Sequence, residues 1–423
     1  MGRSDGIRVQ HGSPERPLGE ATVRTLLEET FADREWDGKR LLVIIPDDTR
    51  TAPIPLFFRV LNEIVGARVP RLDYLIALGT HPPMKPEAID KLLGMKEQER
   101  RERFPKTEVY NHEWHKPQQL KILGHVTERE MANLSGGLLA METPVAINKL
   151  IFDYDHLLIC GPVFPHEVAG FSGGAKYLYP GIAGPQVIHN THWLGAVAHS
   201  MDTIGVKDTA VRRVLHRAAD FVRQERPVTL LALVMKGHDL HGLYIGDIVE
   251  AWEAAADLSA QVNIVHCPHP FQAVLSQPKR MYQELWTAAK AMYKTEPVVA
   301  DGGELIIYAP QLDTISQTHG EQIRRIGYHV RDYYLAQWEK FRHVPLAVMA
   351  HSTHVKGKGY YEDGREEPRI RVTLATGIPE KLCREINLGY RDPQSIDPAD
   401  FQNREDDGVL HVANAGEYLY RLE

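Results

Sequence analysis

Short β-branched and leucine-rich runs recur along the chain, and several give way to stretches whose apolar positions fall three and four apart. The runs "RLLVIIP" (40–46), "LDYLIALG" (72–79), "HLLICGPV" (156–163), "VTLLALVM" (228–235), "ELIIYAP" (304–310), "PLAVMAH" (345–351) and "RIRVTLAT" (369–376) read as strands. Helical periodicity is clearest over 54–66, 86–97, 206–224, 247–258, 280–293 and 320–341. This alternation predicts an α/β fold with largely parallel sheets flanked by helices. Polar segments follow the strands: "DDTRTAP" after the first, "THPPM" after the second, "FPHEVAGFSGGAK" after the third and "HSTHVKGKG" after 345–351. In open α/β sheets ligands bind beyond the carboxyl ends of strands, so these segments are expected to converge on one site.

At 423 residues the chain exceeds the usual size of one domain. Two are expected: an N-terminal α/β domain over 1–264 and a C-terminal one over 265–389, with the tail 390–423 returning to the first and an active site in the crevice between them. The formal net charge of -7 gives no support for a nucleic-acid or anionic-membrane partner. The opening "MGRSDGIRVQHGSPERPLGE" lacks the apolar core of a secretory signal, and no run approaches the roughly 20 apolar residues of a membrane span, so a cytoplasmic protein is expected. Cys160, Cys267 and Cys383 lie far apart without a C-x-x-C pair, which leaves the 21 histidines as the natural metal ligands.

The most unusual stretch is "GFSGGAKYLYPG" (170–181). Gly170, Gly173 and Gly174 allow a ligand to lie against main-chain N–H groups, and a phosphate is the first candidate. A P-loop places Gly then Lys then Ser or Thr at its end. Here Ala175 precedes Lys176 and Tyr177 follows it, so that motif fails twice, and a glycine-rich turn with a solvated lysine is the competing reading. In "PDDTRTAP" Arg50 can pair with a carboxylate or phosphate and Asp47 or Asp48 can accept from a ribose hydroxyl; an Asx turn capping the next helix is the bland alternative. His81 in "GTHPP" is either structural or catalytic. His189 and His192 in "HNTHW" would share one side of a helical turn, as structural side chains or as ligands for nickel, zinc or copper.

Taken in order, "DDTR", "GTHPP", "PHEVAGFSGGAKYLYPG" and "HNTHW" resemble the nickel-pincer nucleotide-dependent lactate racemase family. The resemblance spans most of the chain and is most specific from Pro165 to Gly184. It implies that Lys176 carries, as a covalent thioamide, a pyridinium mononucleotide holding nickel in a sulfur-carbon-sulfur pincer, that His192 completes the nickel coordination, and that Asp47, Gly173, Gly174 and Tyr282 lie beside this cofactor. His81 and His166 would be the two acid-base groups, with Arg50 on the substrate carboxylate. The implied reaction is racemisation or epimerisation of a small-molecule 2-hydroxy acid through a 2-keto acid, with cofactor maturation enzymes as partners.

One position departs from the family. The lactate-specific pattern has a Tyr-Gln pair followed by a lysine that assists carboxylate binding; here "RMYQELWTAAK" supplies Tyr282 and Gln283 but puts Trp286 where the lysine stands. Tryptophan offers no charge. The implied substrate is larger or more apolar than lactate, or it is held by Arg50 and Gln283 alone. Two other classes remain open on the residues themselves: a mononuclear metal hydrolase using the same histidines, and a non-catalytic nucleotide-binding protein.

Overall fold

Two α/β units make up the computed structural model, which describes Gly6–Glu423; Met1–Asp5, part of the opening read above for a secretory signal, lie outside the described residues. The first unit runs to Phe164 and adds Phe171–Ile188 and Val211–Val262, while the second takes Pro165–Gly170, His189–Ala210 and Asn263–Glu423. The expected break near 264 is therefore only one of several crossings.

The first unit is built on a seven-stranded sheet in the order Ile7–Gly12, Asp239–Gly246, Val228–Lys236, His156–Pro162, Arg40–Pro46, Arg71–Ala77, Val109–Asn111. The strands from Val228–Lys236 to Val109–Asn111 are mutually parallel, and Asp239–Gly246 runs against both of its neighbours. Every residue of His156–Pro162 is buried, as is every residue of Arg40–Pro46 after Arg40. This is why both read as continuous apolar runs rather than alternating ones. The helix Ile54–Ile64 places Phe57, Phe58 and Leu61 in the same core as Val43, Ile45 and Tyr74.

The second unit holds an all-parallel five-stranded sheet, ordered Gly389–Tyr390, Arg371–Thr376, Val299–Ala309, Phe271–Pro278, Val409–Ala415. The tail therefore does not return to the first unit as expected. Val409–Ala415 extends the second sheet beside Phe271–Pro278, and Leu419–Leu422 pairs with Ile264–Cys267.

Three further expectations change. The run 345–351 is not a strand but the start of a helix, Leu346–Lys356, in which every residue from Val348 to Val355 is buried. A short apolar run has no period that separates a buried helix from a buried strand. The expected helix over 320–341 is broken, Gly320–Ile326 ending at Gly327 with φ +70°, and 280–293 forms only the short turns Leu285–Ala288 and Lys290–Tyr293. No helix among the described residues is long and apolar enough to cross a membrane.

Val412 is buried in the tail strand, opposite Ser276. Val412→Asp places an unpaired carboxylate there and is expected to cost about 3 kcal/mol or more. In hydrogen exchange, protection should be lost first in Phe271–Pro278 and retained in Arg40–Pro46; the reverse order would return the tail to the first unit.

Candidate functional site

In the first unit three adjacent parallel strands, His156–Pro162, Arg40–Pro46 and Arg71–Ala77, end side by side, so loops far apart in sequence become neighbours. Asp47 begins the loop after Arg40–Pro46 and is buried. Its Oδ1 accepts from the Thr49 amide at 3.2 Å and the Thr49 hydroxyl at 2.6 Å, while Oδ2 lies 2.5 Å from Nδ1 of His81. The Asx-type turn and the polar role thus coexist, one on each oxygen. Burial works to raise the Asp47 pKa, but the hydrogen bond and charge of His81, with Arg50 and Thr49, hold it down at about 2. The His81 side chain is 49% exposed, so its ring is anchored at one nitrogen and open to a ligand. The Arg50 guanidinium lies 5.4 Å from the Phe164 ring centre. The Gly79 amide donates to the Gly181 carbonyl at 2.9 Å, joining the His81 loop to the segment that follows Lys176.

The glycine-rich loop is held from beneath. Arg212, buried on the helix Ala210–Glu225, donates to the carbonyls of Gly173, at 3.2 Å, and Phe171. The Trp252 indole donates to the Ser172 carbonyl between them at 2.8 Å, and the guanidinium lies 4.0 Å from its ring centre. The Ser172 hydroxyl donates to the Pro162 carbonyl and accepts from the Phe164 amide, both at 3.1 Å. With three successive carbonyls tied on one side, the next N–H groups turn away. Among the described residues no acceptor takes the N–H of Gly173, Gly174 or Ala175. Gly173 (φ +75°) and Gly174 (φ +59°) adopt left-handed backbone, and a Cβ on Gly174 would meet Trp252 at 2.9 Å. Lys176 follows, half-buried in a 3-10 turn over Gly174–Tyr177. Buried and without an acceptor among the described residues, the first two on left-handed backbone, these amides are suited to an anion or polar cofactor group.

In the second unit His166 is buried, and its Nδ1 accepts from the Val168 amide at 3.1 Å while lying 3.3 Å from Oε2 of Glu167. Burial would raise the Glu167 pKa, yet His166, His354 and Lys290 around it hold the carboxyl well below the usual range. His192 sits half-buried on the helix Pro185–Val197, three residues beyond His189, and within electrostatic reach of His354. Burial is the main cause that lowers His354 to about 4 and His351 to about 3, so both are neutral imidazoles at physiological pH. Trp286 stacks on His351 with ring centres 3.8 Å apart and 7° between planes, and His319 lies 4.6 Å away. Neutral His351 must donate from Nε2 to the Trp286 carbonyl at 3.0 Å, which fixes the indole and ring together. Gln283 is exposed, and the Lys290 ammonium lies 5.3 Å from the Tyr282 ring centre.

The structure thus gathers Asp47, Arg50, His81 and the loop of Gly173, Gly174 and Lys176 on the first unit, and His166, His192, Tyr282, Gln283 and Trp286 on the second. Glu167, His351 and His354 escaped sequence reading, the last two because "HSTHVKGKG" was read as a polar loop after a strand rather than as part of a helix with the histidines at i, i+3. Arg212 and Trp252 carry no local signal, since their role exists only once distant helices pack. Among the described residues no three or more His, Cys, Asp or Glu side chains converge as a metal cage.

A profile for the lactate racemase N-terminal domain matches residues 13–205. The chain is 24% identical over 310 residues to a lactate racemase of Thermoanaerobacterium thermosaccharolyticum, covering 71% of this chain and 64% of the relative. It is 26% identical over 288 residues to that of Lactiplantibacillus plantarum, covering 65% of this chain and 61% of the relative. The chain therefore aligns with somewhat under two thirds of each curated relative. A crystal structure of a Thermotoga maritima protein superposes with a TM-score of 0.87 at 32% identity, covering 96% of this chain and 99% of that one. The lactate racemase apoprotein from T. thermosaccharolyticum gives a TM-score of 0.72 at 17% identity over 100% of this chain and 96% of that one, which establishes a shared fold.

Arg212→Met keeps most of the side-chain volume but leaves the Phe171 and Gly173 carbonyls without their donor. A loss of about 2–4 kcal/mol is expected in urea unfolding. Unchanged stability would mean that the guanidinium does not hold the loop.

Proposed function

Because the chain belongs to the lactate racemase family, we propose that it racemises or epimerises a 2-hydroxy acid by reversible hydride transfer, using a nickel-pincer nucleotide bound to Lys176. The observation that carries this reading is the run of three unpaired N–H groups, Gly173 to Ala175, directly before a half-buried lysine. That run suits a covalently tethered, phosphate-bearing group better than a solvated turn. His192 would supply the nickel ligand, and Asp47 and Tyr282 would line the cofactor. When bound, the cofactor supplies the hydride acceptor. A metal centre that needs several protein ligands, as a mononuclear hydrolase does, is less well supported, since no such cage forms among the described residues.

The chain's own groups would do the rest. Arg50 would grip the substrate carboxylate through paired N–H donors. Asp47, ionised at neutral pH, accepts a hydrogen bond from Nδ1–H of His81 and so leaves Nε2 as the basic atom. His81 would remove the hydroxyl proton of one enantiomer as hydride leaves C2, giving a planar 2-keto acid. Hydride return to the other face, with a proton returned to oxygen by His166, completes the inversion; the reverse direction exchanges the two roles. The hydride taken from C2 is returned to C2, and one inversion leaves the extra proton on His81 instead of His166, a difference that a reverse turnover or exchange with water resets.

Intact-protein mass spectrometry of chain produced together with the maturation enzymes tests the tether. The protein should carry the cofactor mass, and Lys176→Ala should lose both that mass and turnover. An adduct persisting on the variant would place the tether elsewhere, and no adduct on active wild type would sink the reading.

Trp286 is expected to set substrate choice, because an indole clasped by His351 and His319 stands where lactate enzymes carry an ammonium. Across 2-hydroxy acids with growing side chains, kcat/KM should peak beyond lactate. A clear preference for lactate over every larger acid would count against it.

A further inference from the structure

We infer that Glu167 is a positioning residue for His166, holding the proton on Nδ1 so that Nε2 can act as a base. The inference rests on the racemase reading for the role of His166 and on geometry for the rest. His166 meets two opposed partners at one atom. The Val168 amide points an N–H at Nδ1 from 3.1 Å, while Oε2 of Glu167 approaches the same nitrogen at 3.3 Å.

Those partners select different tautomers. With the Val168 N–H donating, Nδ1 must be bare, the ring proton sits on Nε2, and the working nitrogen has no lone pair with which to take a proton. When Nδ1 carries the proton it points to Glu167, and Nε2 presents its lone pair. A racemase needs this histidine as a neutral base toward one enantiomer and as an imidazolium acid toward the other, and Nδ1 carries a proton in both. Only the Glu167 carboxylate can accept that proton, so it serves both roles, while the Val168 N–H favours the tautomer that can do neither.

Glu167 is suited to this by its surroundings. Its side chain is only 19% exposed, so little water competes for the carboxylate. The charged and titratable groups facing it are His166 beside it in sequence, His354 from the helix Leu346–Lys356 and Lys290 from the turn Lys290–Tyr293; a positive charge on any of them favours the ionised form, and at neutral pH that charge comes from Lys290 and protonated His166, since His354 is neutral. In the base role Nε2 accepts the substrate hydroxyl proton, Nδ1 keeps its own, and the resulting imidazolium is paired with the carboxylate. In the acid role the Nε2 proton returns to the substrate oxygen. The arrangement parallels that of His81, whose Nδ1 meets Asp47 at 2.5 Å.

The test uses full-length protein without cofactor, labelled with 15N in histidine, so the readout does not depend on turnover. At neutral pH wild type should show a substantial His166 population protonated at Nδ1. Glu167→Leu should shift the ring to the Nε2-protonated tautomer, and Glu167→Gln, which keeps size and an acceptor oxygen but not charge, should fall between them. In cofactor-loaded protein Glu167→Leu should lower kcat by about 100-fold, the lower end of what one general base contributes, with KM little changed. Identical tautomer populations in wild type and both variants would overturn the inference, as would a drop in turnover without a tautomer shift, since that is what mere structural damage produces. Loss of the racemase reading shows separately, as absence of the lysine adduct.

Discussion

Three successive carbonyls, those of Phe171, Ser172 and Gly173, are bound from one side by the buried Arg212 guanidinium and the Trp252 indole. Peptide groups carry their two polar atoms on opposite sides, so fixing the carbonyls decides where the following N–H groups can point. A guanidinium is costly to bury unless its donors are used. Here its donors are spent on the loop backbone, so its burial and the shape of the lysine loop stabilise one another. The glycines are a consequence of that constraint. Trp252 lies so close that Gly174 has no room for a Cβ, and both Gly173 and Gly174 take the left-handed conformation that turns their amides away from the clamp.

What the clamp presents becomes useful because of the sheet above it. His156–Pro162, Arg40–Pro46 and Arg71–Ala77 are parallel neighbours, so their carboxyl ends deliver the lysine loop, the Asp47 turn and the His81 loop to one edge. The Gly79 to Gly181 hydrogen bond then ties two of these loops directly. The order of strands, rather than any sequence proximity, makes Asp47 and His81 a pair.

This division explains what could be read from the chain. Strand-end chemistry was legible because a parallel sheet writes itself as apolar runs followed by polar loops, and Asp47, Arg50, His81, His166 and Lys176 all stand in such loops. The helix Leu346–Lys356 was not, because a helix buried on nearly every side loses the polar face that gives it a period. His351 and His354 were lost with it. The tail strand Val409–Ala415 was assigned to the wrong unit because an edge strand carries no mark of which sheet it will join. Arg212 and Trp252 are informative only through partners that lie about 40 and 80 positions away in sequence, as their hydrogen bonds to Phe171 and Ser172 require.

The two histidines proposed for proton transfer are not held alike, and the difference follows from the chain around them. Asp47 is short, and its other oxygen is locked by two contacts from Thr49, so its bond to His81 is rigid and the imidazole has one favoured tautomer. Glu167 has one more rotatable bond, and at His166 it competes with a peptide N–H for a single nitrogen. Asp47 therefore holds the Nδ1-protonated tautomer of His81 without a rival, whereas Glu167 must hold the same tautomer of His166 against the Val168 N–H. The tautomer that proton transfer needs is thus held with less opposition at His81 than at His166, and the second site depends more on its carboxylate.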